Sequence, residues 1–296
     1  MVSVKLRKFG NFRLLNRESK NTESLLFQSL LSGQSMPLDL CSFEEVLPYS
    51  LLSIPISTVT TNDNVWIAAS MLARISDVTN SLVVVEDGFP IGTIDVRRVI
   101  SGFQKNPTAD YFEESVSKIM DVDFYIDSRV VNIAAVLRRM NKTGRFFTII
   151  ENDRTSFSQF SIRQVLEIIS LCKSDIGVAS MEKKRISTFS RDDTIKDVMK
   201  KLEADKTGLL ALKDDMSFIS YEAVLEKIKE LNTPQDGKLL GLSASTFKTI
   251  TPTLISEKLT LAEICKIMLG QKYPYVMTRE HLITPHDIID VVCREI

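Results

Sequence analysis

The chain is poor in histidine: it has two, His281 and His286, both within the last sixteen of its 296 residues. Imidazole is the commonest general acid–base group, so little of that chemistry is on offer. Its four cysteines, Cys41, Cys172, Cys265 and Cys293, are far apart and form no Cys-x-x-Cys pair. Such spacing argues against a zinc site or a disulfide framework, and four reduced cysteines suit a cytoplasmic protein. There is no Walker loop, no Gly-x-Gly-x-x-Gly after a strand and no Ser-His-Asp set. Neither catalysis nor a required cofactor is expected. Long apolar runs are missing too. The longest stretch free of charged residues lies between Glu45 and Asp63, and Pro48 and Pro55 interrupt it amid polar residues. That is no membrane span. No basic-apolar-small signal peptide opens the chain. Charge of either sign is balanced, with a net charge of -1, so nothing draws the whole molecule to nucleic acid or acidic lipid.

What is present is an average globular composition, 44% hydrophobic and 25% charged. Residues 1–48 differ from the rest and read as an N-terminal extension. Lys5, Arg7, Lys8, Arg13, Arg17 and Lys20 face only Glu18 in the first twenty positions. Val2, Val4 and Leu6 alternate as in a strand, which favours a solvated tail or added edge strand over a basic arm for an anionic partner. Leu25, Leu26, Leu30 and Leu31 suit a short amphipathic helix, and Ser42-Phe-Glu-Glu45 reads as a capping box opening another before Pro48.

From about residue 50 the chain repeats itself. Four units each read strand, helix, strand, strand, helix. The residues that open the first helix are placed at Asn64, Val130, Thr194 and Thr260, at intervals of 66, 64 and 66. A fully apolar strand follows each helix: Leu82–Val85, Phe146–Ile150, Gly208–Leu212 and Tyr275–Met277. Turn chemistry is clear in Glu86-Asp-Gly-Phe-Pro90, Glu151-Asn-Asp-Arg154 and Lys213-Asp-Asp215. Units of this size are marginal alone and have sheets that need covering on both faces, so they are expected to pair.

Period, element order and short degenerate motifs resemble the CBS domain, a nucleotide-sensing repeat that packs in tandem pairs called Bateman modules. Val116-Ser-Lys-Ile-Met120 looks like the family's lead-in to a repeat, and Val178-Ala-Ser-Met181 is a fainter version. Four units in one chain resemble the double arrangement of the gamma subunit of AMP-activated kinase and of stand-alone prokaryotic CBS proteins. The resemblance implies an α+β fold with two consecutive pairs: 49–172 (repeats about 50–104 and 116–172) and 173–296 (repeats about 178–232 and 243–296).

The family signature is Gly, two apolar residues, Thr or Ser, two variable residues and Asp. Its hydroxyl and carboxylate sit at the start of the second helix and hold phosphate and ribose. Repeat one reads Gly92-Thr-Ile-Asp95-Val-Arg-Arg98, with Arg in place of the acid. Repeat two reads Ser158-Gln-Phe-Ser161-Ile-Arg-Gln164, keeping the hydroxyl and reducing the acid to an amide. Repeat three reads Ser217-Phe-Ile-Ser220-Tyr-Glu-Ala223 and has no acid at the key position. Repeat four, His281-Leu-Ile-Thr284-Pro-His-Asp287, loses the Gly but keeps both polar residues.

These types suit a nucleotide. A helix N-terminus offers unpaired N–H groups to phosphate, and a carboxylate one turn on can accept from two vicinal hydroxyls. The same Thr-Pro-x-Asp is also an ordinary helix cap with Pro at the first helical position. Carried over by resemblance, the binding set is Thr284 and Asp287 with Pro285, His286, Tyr275 and Thr253, and the weaker second set is Ser161 and Gln164. Arg97, Arg98, Arg138 and Arg139 either lend charge to a shared phosphate region or are exposed helix-face residues. Trp66 reads as packing, and the methionines as core. The implied function is a non-catalytic regulatory module. It senses AMP, ADP or ATP in a cleft between paired repeats and signals to a partner protein, with a homodimer formed through the pairs. A scaffold with decayed ligand sites is the alternative.

Overall fold

A computed structural model gives the fold and describes residues 42–46, 53–75, 81–171, 176–178, 181, 186–205, 207–215, 217–230, 238–279 and 281–295. The readings for Lys5–Lys20 and Leu25–Leu31 lie outside these residues, as do Cys41 and Cys172. The short helix α1 (Phe43–Val46) comes first. Repeat one runs β1 (Thr58–Thr60), α2 (Val65–Ile75), β2 (Ser81–Glu86), β3 (Phe89–Asp95) and α3 (Val96–Lys105), followed by α4 (Ala109–Glu113). Repeat two is β4 (Ile126–Ser128), α5 (Ile133–Thr143), β5 (Phe147–Asp153), β6 (Ser156–Ser161) and α6 (Ile162–Leu171). Repeat three is β7 (Thr188–Phe189), α7 (Ile195–Ala204), β8 (Leu209–Leu212), β9 (Phe218–Ser220) and α8 (Tyr221–Glu230). Repeat four is β10 (Thr253–Leu254), α9 (Leu261–Leu269), β11 (Val276–Met277), β12 (Leu282–Ile283) and α10 (Pro285–Glu295).

Each repeat makes one three-stranded sheet with its apolar strand in the middle. In the first three repeats that strand pairs parallel with the strand before the helix and antiparallel with the strand after the turn. Local chemistry explains the breaks. Asp87 and Gly88, both with positive φ (49° and 84°), close the two-residue β2–β3 hairpin. Gly144, at φ 67°, stops α5. The α5 cap is Asn132, whose side chain accepts from Ala135 N–H, so repeat two's helix opens two residues later than placed. Valine has no polar atom with which to cap, and Val130 stays 67% exposed.

The short segments leading into the repeats do a second job. The residue opening each first helix makes an antiparallel bridge to such a segment: Ser42 with Asn132, Asn64 with Ser115, Gly177 with Thr260, and Thr194 with Ser243. Three of the third-strand edges are met in the same way, at Thr93 with Asp121, Ser158 with Pro55, and Phe218 with Ile250. Thus Val116–Lys118, read as the lead-in to repeat two, buries Val116 in the core beneath repeat one.

Contacts divide the chain into two compact units. Among the described residues, one holds those from Ser42 to Ile56, from Tyr125 to Met181 and from Leu254 onward; the other holds Ser57–Phe124 and those from Ile186 to Thr253. The first unit therefore contains repeats two and four, the second repeats one and three. Each takes one repeat from either of the consecutive pairs expected at 49–172 and 173–296. Helix packing decides this: α6 lies on α9 and α5 on α10 in the first unit, and α3 lies on α8 and α7 in the second. Each unit has its own apolar core.

The boundary at residue 48 also needs correction. Phe43 is fully buried in the core of the first unit, edge-on to Phe160 with centroids 4.9 Å apart. Phe43 N–H donates to Val131 O and Glu44 N–H to Arg129 O, both at 3.1 Å. Ser42–Val46 is thus part of repeat two. Phe43→Ala is expected to lower unfolding stability by about 3–5 kcal/mol in urea denaturation, whereas an extension unrelated to the core would show almost no change.

Candidate functional site

The two repeats that keep most of the signature, two and four, share one unit. At the start of α10, Thr284 N–H donates to Asp287 Oδ2 at 2.8 Å and its hydroxyl donates to the same oxygen at 2.7 Å. Asp287 N–H returns a longer contact to Thr284 Oγ1 at 3.4 Å. This is a reciprocal capping box. Similar boxes open α7 (Thr194 and Asp197) and α9 (Thr260 and Glu263). There the hydrogen bonds from the threonine hold Asp197 and Glu263 below the usual carboxylate range. The α10 box differs in burial: Thr284 and Asp287 are only 5% and 6% exposed.

His281, in the place of the signature Gly, is also buried. It sits in the β11–β12 turn, where its N–H donates to Thr278 Oγ1 at 3.2 Å and its Nδ1 lies 3.0 Å from the same hydroxyl. Thr278 N–H in turn donates to His281 O at 2.9 Å. The imidazole is held within its own turn. His286 packs edge-on to Phe146 at 5.3 Å. Tyr275 is half-buried just before β11, and Thr253 is exposed at the start of β10.

Repeat two reproduces the box without charge. Ser161 N–H donates to Gln164 Oε1 at 2.8 Å, and the Ser161 hydroxyl bonds the same oxygen. Both side chains are 1% exposed. Beside them Gln159 is fully buried, and neither side-chain amide atom has a hydrogen-bond partner. Sequence reasoning quoted this residue and passed over it. The available signal was a glutamine at a signature position that is ordinarily apolar.

Repeats one and three put these positions to other uses. Arg98, in the ribose acid's position, donates through Nε to Ile119 O at 2.7 Å and through a terminal nitrogen to Met120 O at 3.2 Å. Gly92 is needed there, since a Cβ would come within 2.9 Å of Met120 Sδ and 3.1 Å of Asp121 O. In repeat three the acid's place is taken by Ala223, and the Ser220 hydroxyl only accepts a long 3.5 Å contact from its N–H.

The arginines read as alternative phosphate partners are largely engaged. Arg97 lies over the Tyr221 ring at 5.4 Å, and burial pushes that phenol up to about 12. Arg139 forms a two-pronged pair with Asp127, itself bonded by Thr148, and stacks over Tyr125 at 4.1 Å. Arg138 lies beside Cys293, whose thiol burial pushes up to about 11. Trp66 packs edge-on to Phe112 at 5.7 Å, with the Lys229 ammonium 5.8 Å from its ring. Among the described residues no three His, Cys, Asp or Glu side chains gather where they could hold a metal, and no helix is long and apolar enough to cross a membrane.

Comparison with solved structures places this architecture. A Methanocaldococcus jannaschii protein, MJ1225, described as a candidate archaeal homologue of gamma-AMPK, superposes with a TM-score of 0.68 at 14% identity. The match covers 80% of this chain and 96% of that one. The fold is the four-repeat CBS fold. An uncharacterised conserved protein of Pyrococcus horikoshii also matches, with a TM-score of 0.51 at 11% identity, covering 80% of this chain and 95% of that one. No family model and no curated protein matches the sequence. At these identities the CBS likeness is one of fold, and the site is argued from this chain's own residues.

If Arg139 serves structure rather than a ligand, Arg139→Met will strand the buried Asp127 carboxylate. A loss of about 3–5 kcal/mol in denaturant unfolding is expected, with much of it recovered in the double variant Arg139→Met, Asp127→Leu.

Proposed function

We propose that this chain is a non-catalytic regulatory protein that binds an adenine nucleotide, of the AMP, ADP or ATP type, at the N-terminus of α10. The supporting observation is the buried Thr284–Asp287 box at the start of the last helix of a four-repeat CBS fold. The half-buried box at α7 and the more exposed one at α9 show that capping alone does not require full burial. A buried carboxylate is costly unless its hydrogen bonds are well supplied. Thr284 supplies two to a single oxygen, and a carboxylate at this position can accept from vicinal ribose hydroxyls. The first-turn N–H groups and the Thr284 hydroxyl suit a phosphate. Pro285 at the first helical position fixes the turn without removing an N–H that the helix would use. Tyr275, His286 and Thr253 complete the proposed surroundings.

The signal would pass to a partner protein, because ligand binding shifts whichever arrangement of the repeats it prefers. Pairing with a second copy through the repeats belongs to the same proposal. A scaffold role gains support from Arg98, which turns one signature inward on its own backbone. Binding separates the two readings.

Titration calorimetry with AMP, ADP and ATP is expected to give saturable heat for at least one of them. Asp287→Ala should weaken it ten-fold or more, the scale of losing a hydrogen bond to a charged group. Asp287→Asn keeps the capping acceptor and so controls for folding. It should melt near the wild type yet still bind more weakly. Heat absent with all three nucleotides, or an unchanged affinity in Asp287→Ala, rejects the site.

A further inference from the structure

In each unit the first helix of one repeat packs on the second helix of the other, and it does so twice: α5 on α10 and α9 on α6 in the first unit, α7 on α3 and α2 on α8 in the second. At one crossing in each unit a polar side chain bonds across. Asn141 Nδ2 donates to Asp290 Oδ1 at 3.1 Å, and the Ser101 hydroxyl donates to Glu203 Oε1 at 3.3 Å. The two bonds occupy the same positions. Asn141 and Glu203 each lie nine residues beyond the cap of their first helix, Asn132 and Thr194. Ser101 and Asp290 each lie six beyond the residue that caps their second helix, Asp95 and Thr284. At the other two crossings these positions hold Leu269 with Glu167 and Ala73 with Glu226.

The second-helix position is therefore acidic in three repeats, at Glu167, Glu226 and Asp290, and carries a hydroxyl only in repeat one. The first-helix position is acidic only in repeat three, at Glu203. Asn141 can donate to any of the three acids, and Ala73 and Leu269 carry no charge, so none of them distinguishes its partner. Glu203 does. Opposite repeat one it accepts from a hydroxyl. Opposite repeat two it would meet Glu167, opposite repeat four Asp290, and opposite repeat three of a second copy Glu226. Burial already holds the Glu167 carboxyl above its usual range, and a second acid beside it would add to that cost. The Ser101 bond is worth little by itself. Like charges set against each other reject a wrong partner more strongly than one such bond rewards the right one. We infer that these two positions carry the address by which the repeats pair. Glu203 is compatible only with Ser101, which joins repeat three to repeat one and leaves repeats two and four to each other. Apolar stripes hold the helices together, and one acid decides which helices meet. This role is independent of nucleotide binding.

Refolding of the full chain from urea at low salt tests it. Ser101→Glu sets an acid against Glu203 and leaves repeat three without a compatible partner. It is expected to lower the folding equilibrium constant about five-fold, the size of two like charges about 4 Å apart in water. It should also give larger species than the wild type by size-exclusion chromatography, as repeats pair between copies. Both effects should fade in about 1 M salt, which screens exposed charges. Ser101→Ala loses the bond but adds no acid, and should elute as the wild type. Ser101→Lys is as bulky as the glutamate variant but of opposite charge, and should refold with a midpoint at or above the wild type's and the same elution profile. If Ser101→Lys fails as Ser101→Glu does, the fault is one of size and the inference falls. It falls too if Ser101→Glu keeps the wild-type midpoint and profile. A Ser101→Glu chain that is less stable at low salt yet elutes as the wild type also overturns it, because the contact then stabilises the pairing without choosing it.

Discussion

The structure depends on one recurring contact, the antiparallel bridge between the residue that opens each first helix and a short segment from elsewhere in the chain. A three-stranded sheet with two helices is too small to bury its own edges, and an open edge invites unwanted pairing. Lead-in segments cover these positions. Val116, Ala244 and Phe43 go further and place apolar side chains inside cores built from other repeats. Because each lead-in is counted with a different unit from the repeat it precedes, the chain passes between units after Ile56, Phe124, Lys183 and Thr253. No repeat is complete from its own residues. Covalent order and compact order therefore differ, although the repeats follow one another regularly in sequence.

The division sorts the chemistry. Repeats one and three share a unit in which the signature positions are turned to internal use. Arg98 caps backbone carbonyls of Ile119 and Met120, Gly92 lets that segment pass close by, and Ala223 presents nothing polar. Repeats two and four share the other unit, where hydroxyl and acceptor remain together and buried at both helix starts. Arg97 and Arg139 look like phosphate-binding candidates in sequence. In the structure Arg97 covers an aromatic ring and Arg139 neutralises a buried carboxylate, which is how long cationic side chains commonly serve packing.

Much of this was legible in advance, because period and amphipathic pattern are local properties. The strand-helix-strand-strand-helix order, the apolar central strands and the Asp87-Gly88 turn follow from spacing and turn chemistry alone. The misplaced start of repeat two shows where period misleads: an even interval selected Val130, but a cap needs a side-chain acceptor, and Asn132 has one. The apolar stripes of α5 and α6 say that they must be covered, and carry no address for α9 and α10. Phe43 was hidden for the same reason. It looked like the end of a basic extension, and only the fold shows that Phe160 and Val131 wait for it. Gln159 was visible as a residue and invisible as an anomaly, since burial on the second face of a strand cannot be read from one strand.

Whether Thr284–Asp287 is a cap or a site is a false choice, because one box can be both. The geometry at α10 is that of a helix cap, down to the shared Oδ2. What a cap does not explain is its depth. At α7 and α9 water can solvate the carboxylate, and the box there completes the helix end with little desolvation. At α10 the same two residues are withdrawn from water, so the cost of burying the acid must be met by structure, by ligand or by both. The Gln164 box meets it differently, by giving up the charge while keeping the two bonds from the cap residue to one acceptor oxygen. One burial problem thus has two solutions within a single unit, and they differ in chemistry: a carboxylate only accepts hydrogen bonds, whereas an amide accepts and donates.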